Sequence, residues 1–199
     1  MFGSRNTGLV LAAIAMLWLN LSGSGCDLFR TRPTQPPLDT GSPWKPPYSA
    51  AQVLLNMNQA LTEMNAQNYL RSFFGPDDGD LGFLFKPNSN AGGWPLSTPW
   101  GYAEESQTIQ YLFTIMMPDD PPFLVFGEGT EFTFGNLDSV RLTRPYNLQV
   151  HTSDPTLPQE VSGVSDFYLA PTSTGYWAIY RWEDIEGYPS WTDLKAGLY

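Results

Sequence analysis

The chemistry this chain can do is limited first by scarcity: one histidine and one cysteine in 199 residues, set against seven tryptophans. His151 titrates in the range of a general base. It has no second histidine and no Cys–His pairing to work with, so an exposed histidine at a strand end is the better reading. Asp77, Asp78 and Asp80 surround Gly79 in a spacing that suggests calcium. A calcium loop of the EF-hand type needs a bidentate glutamate at position 12, where this chain has Asn88. A solvated turn fits better, and Asp119-Asp120 is read the same way. Glu183 and Asp184, with Asp166 on a neighbouring segment, are paired carboxylates that an apolar site could tune for acid–base work. Adjacent acids on a strand face opposite sides, which favours a structural cap or loop-fixing role. The tryptophans offer stacking surfaces, for a carbohydrate among other ligands. Trp94 and Trp100 on a long loop, and Trp177 and Trp182 near the C-terminus, are the expected ligand or partner contacts. No catalytic residue, metal site or cofactor follows from any spacing.

The elements that would hold these residues centre on Tyr176–Trp182. Its alternation places Tyr176, Ala178, Tyr180 and Trp182 on one side and Trp177, Ile179 and Arg181 on the other, as in a strand covered on both faces. Thr172-Ser-Thr-Gly175 is a hairpin signal joining it to Val161–Leu169. Upstream, Ser49 opens a capping box, with Tyr48 and Val53 as its hydrophobic staple. A helical stripe follows at Val53, Leu54, Met57, Leu61 and Met64. A short second helix is predicted over Gln67–Phe74, a strand over Leu81–Lys86 and a third helix over Tyr102–Met117, with Ile109, Leu112, Phe113 and Met116 inward. Glu104 and Glu105 suit its positive end. Strands are then predicted at Phe123–Phe126, Glu131–Phe134, Ser139–Thr143 and Tyr146–Thr152. Ser190 can cap a short closing helix or turn. Helices first and strands afterwards make an α+β fold.

Residues 1–25 read as a targeting segment: Arg5, an apolar stretch from Leu9 to Leu21, then small residues. Thirteen residues are short of the ~20 that span a bilayer. Cys26 follows directly. The arrangement resembles the lipobox of bacterial lipoproteins, although the usual leucine three places before the cysteine is Gly23 here. The resemblance implies lipidation of Cys26, a membrane partner through the lipid anchor, and an extracytoplasmic location. Asp27 after the cysteine hints at sorting between membranes without deciding it. Residues 26–48 carry six prolines over Asp27–Tyr48 and form a semi-rigid tether. Residues 49–199 form the domain. The formal charge of −10 and the scattered basic residues exclude a nucleic-acid surface.

The order of elements resembles the NTF2-like (SnoaL-like) superfamily, a cone of N-terminal helices packed in a strongly bent antiparallel sheet. Closer still is the likeness to poorly characterised lipoproteins of that superfamily. It rests on Cys26–Phe29, Asn68-Tyr69, the run Trp177-Ala-Ile-Tyr-Arg-Trp-Glu-Asp184 and Ser190-Trp-Thr-Asp-Leu-Lys195. Enzymes of the superfamily place an Asp, often with Tyr or His, inside the cone, but no acid here aligns with that position. The expectation is therefore a non-catalytic domain that binds a partner protein or a small apolar ligand. A homodimer or an envelope protein is the expected partner. The alternatives are a SnoaL-like or isomerase-like enzyme using a buried acid, and a structural envelope component.

Overall fold

A computed structural model describes residues 43–89, 99–117, 119–135 and 138–199. Cys26 and Trp94 lie outside them. Helix α1, Ala50–Thr62, starts where Ser49 accepts a hydrogen bond from the Gln52 amide, and buries Val53, Leu54, Met57 and Leu61. Tyr48 does not staple to Val53; it stays exposed and packs edge-on against Tyr176. Helix α2 is only Ala66–Leu70. It stops short of Phe74 because the next residues join the sheet: the Ile179 amide donates to Ser72 O and the Phe74 amide to Ile179 O. Strands β1 (Leu84–Lys86) and β2 (Trp100–Gly101) precede helix α3, Tyr102–Ile115.

The remaining strands are β3 (Phe123–Phe126), β4 (Thr130–Phe134), β5 (Ser139–Gln149), β6 (Glu160–Pro171) and β7 (Trp177–Glu186). Helix α4, Trp191–Leu198, closes the chain. The seven-stranded sheet runs β2-β1-β7-β6-β5-β3, with β4 also on β5. It is antiparallel except where β1 lies parallel to β7. The two strands expected on either side of Pro145 are one, β5. Pro145 sits where β5 changes edge partner from β4 to β3, a place where a missing N–H breaks no ladder.

The simple alternation expected for Tyr176–Trp182 fails at a bulge. Leu169 pairs with Ile179 and Tyr168 with Arg181, leaving Tyr180 as an extra residue. The bulge reverses the inward face, so that Ile179 and Trp182 are both fully buried. A second irregularity leaves Ile185 unpaired between Glu186 and Asp184 and turns Asp184 inward. Trp182 is the hub of the core. It stacks on Phe73 at 6.3 Å, and meets Phe85 at 5.2 Å, Phe167 at 5.2 Å and Trp191 at 5.1 Å.

The end of the Pro-rich segment is part of this body. Asn56 accepts from the Lys45 amide at 3.2 Å and donates to the Lys45 carbonyl at 2.6 Å. Pro47 O accepts from the Trp177 amide at 2.8 Å, and Arg71 lies over the Trp44 ring.

Candidate functional site

Among the described residues, two carboxylates are buried beside tyrosines in the interior, Glu105 and Asp184, and both are engaged. Glu105 is 1% exposed. It falls on the inward stripe of α3 with Thr108, Ile109 and Leu112. Its Oε1 accepts from the Tyr69 hydroxyl at 2.7 Å and its Oε2 from the Trp100 indole N–H at 2.8 Å. The same Oε2 pairs with Lys195 Nζ, and that lysine is only 2% exposed. The ammonium lies 4.6 Å from the Trp182 ring centroid, 4.8 Å from Phe85, 5.4 Å from Trp100 and 5.6 Å from Trp191. A carboxylate with four ring faces is chemistry suited to an organic cation, and here the chain supplies its own. Burial lowers the Lys195 pKa from its ordinary value, against the pull of Glu105 and Asp184. Burial, reinforced by Glu105, raises the Tyr69 phenol well above its ordinary 10.0.

The second interior acid is Asp184. Its Oδ1 accepts from the Tyr146 hydroxyl at 2.9 Å and from Ser165 Oγ at 3.4 Å. Its Oδ2 accepts from the Thr192 amide at 3.0 Å and the Thr192 hydroxyl at 2.6 Å. The Tyr146 oxygen in turn accepts from the Trp191 amide at 2.9 Å. Burial and Asp184 push the Tyr146 phenol above its ordinary range. These bonds tie the first turn of α4 to the sheet, and the Ser190–Asp193 capping box completes it. A Tyr–Asp pair is suited to proton transfer, yet Asp184 is fully occupied and 3% exposed. The buried Trp191 indole N–H has no protein partner among the described residues.

Trp182 and Trp100, expected as contacts, sit in this core, and a ligand would reach them only if the core opened. Trp177 is half-buried and lines a surface depression with Trp44, Arg71 and Asp78. Asp166 and Glu183 face the other way from Asp184. Asp166 meets Thr143 and Arg141, and Glu183 meets Lys86 and Arg181. His151 and Asp120, set aside separately in the sequence, come together with Nδ1 2.8 Å from Oδ2, about half exposed. Glu105 and Lys195 were missed as a site. The signal was available: Glu105 is in step with Ile109 and Leu112, and Lys195 with Trp191, Leu194 and Leu198.

On the outside, α1 and β3 form a groove of about 500 Å³. Leu55 at its rim is 61% exposed, Phe123 59% and Val125 45%.

No family model matches the chain, and no curated protein matches it either. Solved structures do. A conserved protein from Planctomyces limnophilus superposes with a TM-score of 0.52 at 12% identity, over 68% of this chain and 91% of its own. A candidate scytalone dehydratase from Novosphingobium aromaticivorans gives 0.50 at 10% identity, over 67% and 78%. A candidate dehydratase of the NTF2-like family from Streptomyces avermitilis gives 0.50 at 12%, over 67% and 89%. Identities this low speak for the fold alone, and the fold is NTF2-like: a curled, unclosed sheet around helices.

Proposed function

We propose that the protein is a lipid-anchored extracytoplasmic lipoprotein whose NTF2-like domain binds a partner protein or a small apolar ligand and performs no chemistry in its cone. The observation that carries the second half is the closed interior. The two acids placed beside tyrosines, Glu105 and Asp184, are buried and bonded, and α4 lies over both. A SnoaL-like mechanism would need one of them open to a substrate. The first half rests on Cys26 after an apolar segment and a run of small residues. Two or more acyl chains on one residue give stable anchoring where a single chain does not.

Binding is assigned to the groove between α1 and β3, where Leu55, Phe123 and Val125 leave an apolar surface open. The test is site-specific photo-crosslinking in cells from Leu55 and Val125, with exposed Thr62 at the far end of α1 as control. Adducts confined to the groove positions support the reading; none, or equal adducts at Thr62, overturn it. In the same cells, an alkyne fatty acid should label the protein and fail to label Cys26→Ser. Labelling that survives the substitution removes the anchor from the proposal.

A further inference from the structure

We propose a second site, distinct from the α1–β3 groove: a surface trough centred on Trp177 that binds an oligosaccharide chain. Two depressions are both lined by Trp177. One, of about 370 Å³, is lined by Trp44, Arg71, Asp78, Thr172 and Thr174. The other, of about 600 Å³, runs toward Phe134, Asp138 and Pro171. Trp177 is half-buried, and its indole makes no ring contact or side-chain hydrogen bond with another described residue. Trp177 packs against the core and keeps part of its surface open to both depressions, so the ring is presented on a fixed support.

The support is rigid. The Trp177 amide donates to Pro47 O at 2.8 Å, and the residue closes the β6–β7 ladder opposite Pro171. The adjoining turn is pinned by the Thr172 amide on Tyr176 O, by the two threonine hydroxyls bonded at 2.8 Å, and by Gly175 at φ 82°. A ring held in place before binding loses little entropy when a ligand stacks on it.

The polar groups select the ligand. Asp78 uses Oδ2 to accept from the Gly75 amide at 2.8 Å and keeps Oδ1 for an outside donor. Arg71 is exposed, stacks on Trp44 and reaches Asn68 Oδ1 at 3.3 Å through one nitrogen, and its fork carries further N–H donors. Carboxylates at both ends, Asp78 and Asp138, in a chain of net charge −10 disfavour phosphates and nucleic acid. A neutral polyol suits the set. Its hydroxyls donate to Asp78 and accept from Arg71 and the threonines, while its C–H face packs on the indole. Two depressions flanking one ring suit a chain of several sugar units.

The full-length protein in detergent would be titrated calorimetrically with chitohexaose, cellohexaose and maltohexaose, and with the matching disaccharides. We expect saturable binding of at least one hexasaccharide and weaker binding of its disaccharide. Trp177→Ala should weaken it by about tenfold or more. Arg71→Ala, at an exposed side chain that does not endanger folding, should weaken it measurably too. Leu55→Asp should leave it unchanged, which keeps this site separate from the groove. The proposal is overturned by no saturable binding of any hexasaccharide up to about 10 mM. Binding indifferent to both Trp177→Ala and Arg71→Ala would also overturn it. A Trp177-dependent response to peptides but not to sugars would assign the trough to a polypeptide and end the glycan reading.

Discussion

Replacing Lys195 by methionine removes a charge and leaves most of the side chain's volume in place. That separates electrostatics from packing at the centre of this protein. Lys195 and Glu105 are 2% and 1% exposed, so losing the ammonium strands a carboxylate that water cannot reach. Breaking a buried pair at one end costs about 3–5 kcal/mol. Glu105 keeps the Tyr69 and Trp100 hydrogen bonds, which places the expected loss near the lower end, about 3 kcal/mol. With a urea slope of about 2 kcal/mol/M, the unfolding midpoint should fall by about 1.5 M. Adding Glu105→Gln should restore most of it. The amide oxygen can accept from Trp100 Nε1, and the amide nitrogen can donate to the Tyr69 oxygen. The double variant should lie within about 1 kcal/mol of the parent, because a buried pair swapped for neutral groups is often near break-even. Urea denaturation of the parent, both single variants and the double variant closes the cycle. A Lys195→Met cost under about 1 kcal/mol, or a double variant as unstable as the sum of the singles, would refute the reasoning.

Alkaline titration should destabilise the domain through Tyr69 and Tyr146, whose phenols are held above their ordinary 10.0. Their contribution is intact below the unfolded value and is lost as pH rises beyond it, by at most about 1.4 kcal/mol per pH unit for each. Lys195, lowered from 10.5, acts in the opposite direction up to that pH and offsets part of the loss, so the decline should steepen above it. A urea-midpoint series across this range that is no flatter in Tyr146→Phe than in the parent would count against it. Gly163→Ala should cost about 1–3 kcal/mol by overpacking, read as a lower thermal midpoint. A Cβ there would stand 2.0 Å from the Glu186 carbonyl oxygen and 2.9 Å from the Tyr146 hydroxyl, and an unchanged midpoint would contradict that closeness.

The α+β class and the helix-first order were legible because α1 and α3 carry clean apolar stripes and because aromatic and β-branched residues dominate the C-terminal half. What failed was local. Helix α2 was extended to Phe74 because tertiary pairing of residues 72–74 with β7 has no signature in the sequence. The face assignment of β7 failed because a bulge at Tyr180 changes the period, and no residue type announces a bulge. One strand was divided into two around residues 144–145 because the context of Pro145, the handover between β3 and β4, is set by distant residues.

The interior pair was missed for a different reason, and it bears on what the domain is for. Glu105 was explained by the positive end of α3 and Lys195 by the motif that ends the chain. Each local explanation hid the fact that both residues stand in buried stripes. A lysine on the buried face of α4 contributes little net stability, since its desolvation nearly cancels its pairing. What it contributes is a single permitted seat: only one rotation and register of α4 brings Nζ to Glu105 among Phe85, Trp100, Trp182 and Trp191, while Asp184 receives Thr192. Two buried acids on separate elements thus specify how the last helix closes the cone. Both acids are met by α4, Glu105 through Lys195 and Asp184 through Thr192. The two binding sites proposed above lie away from α4: the apolar groove of α1 and β3, and the trough around Trp177.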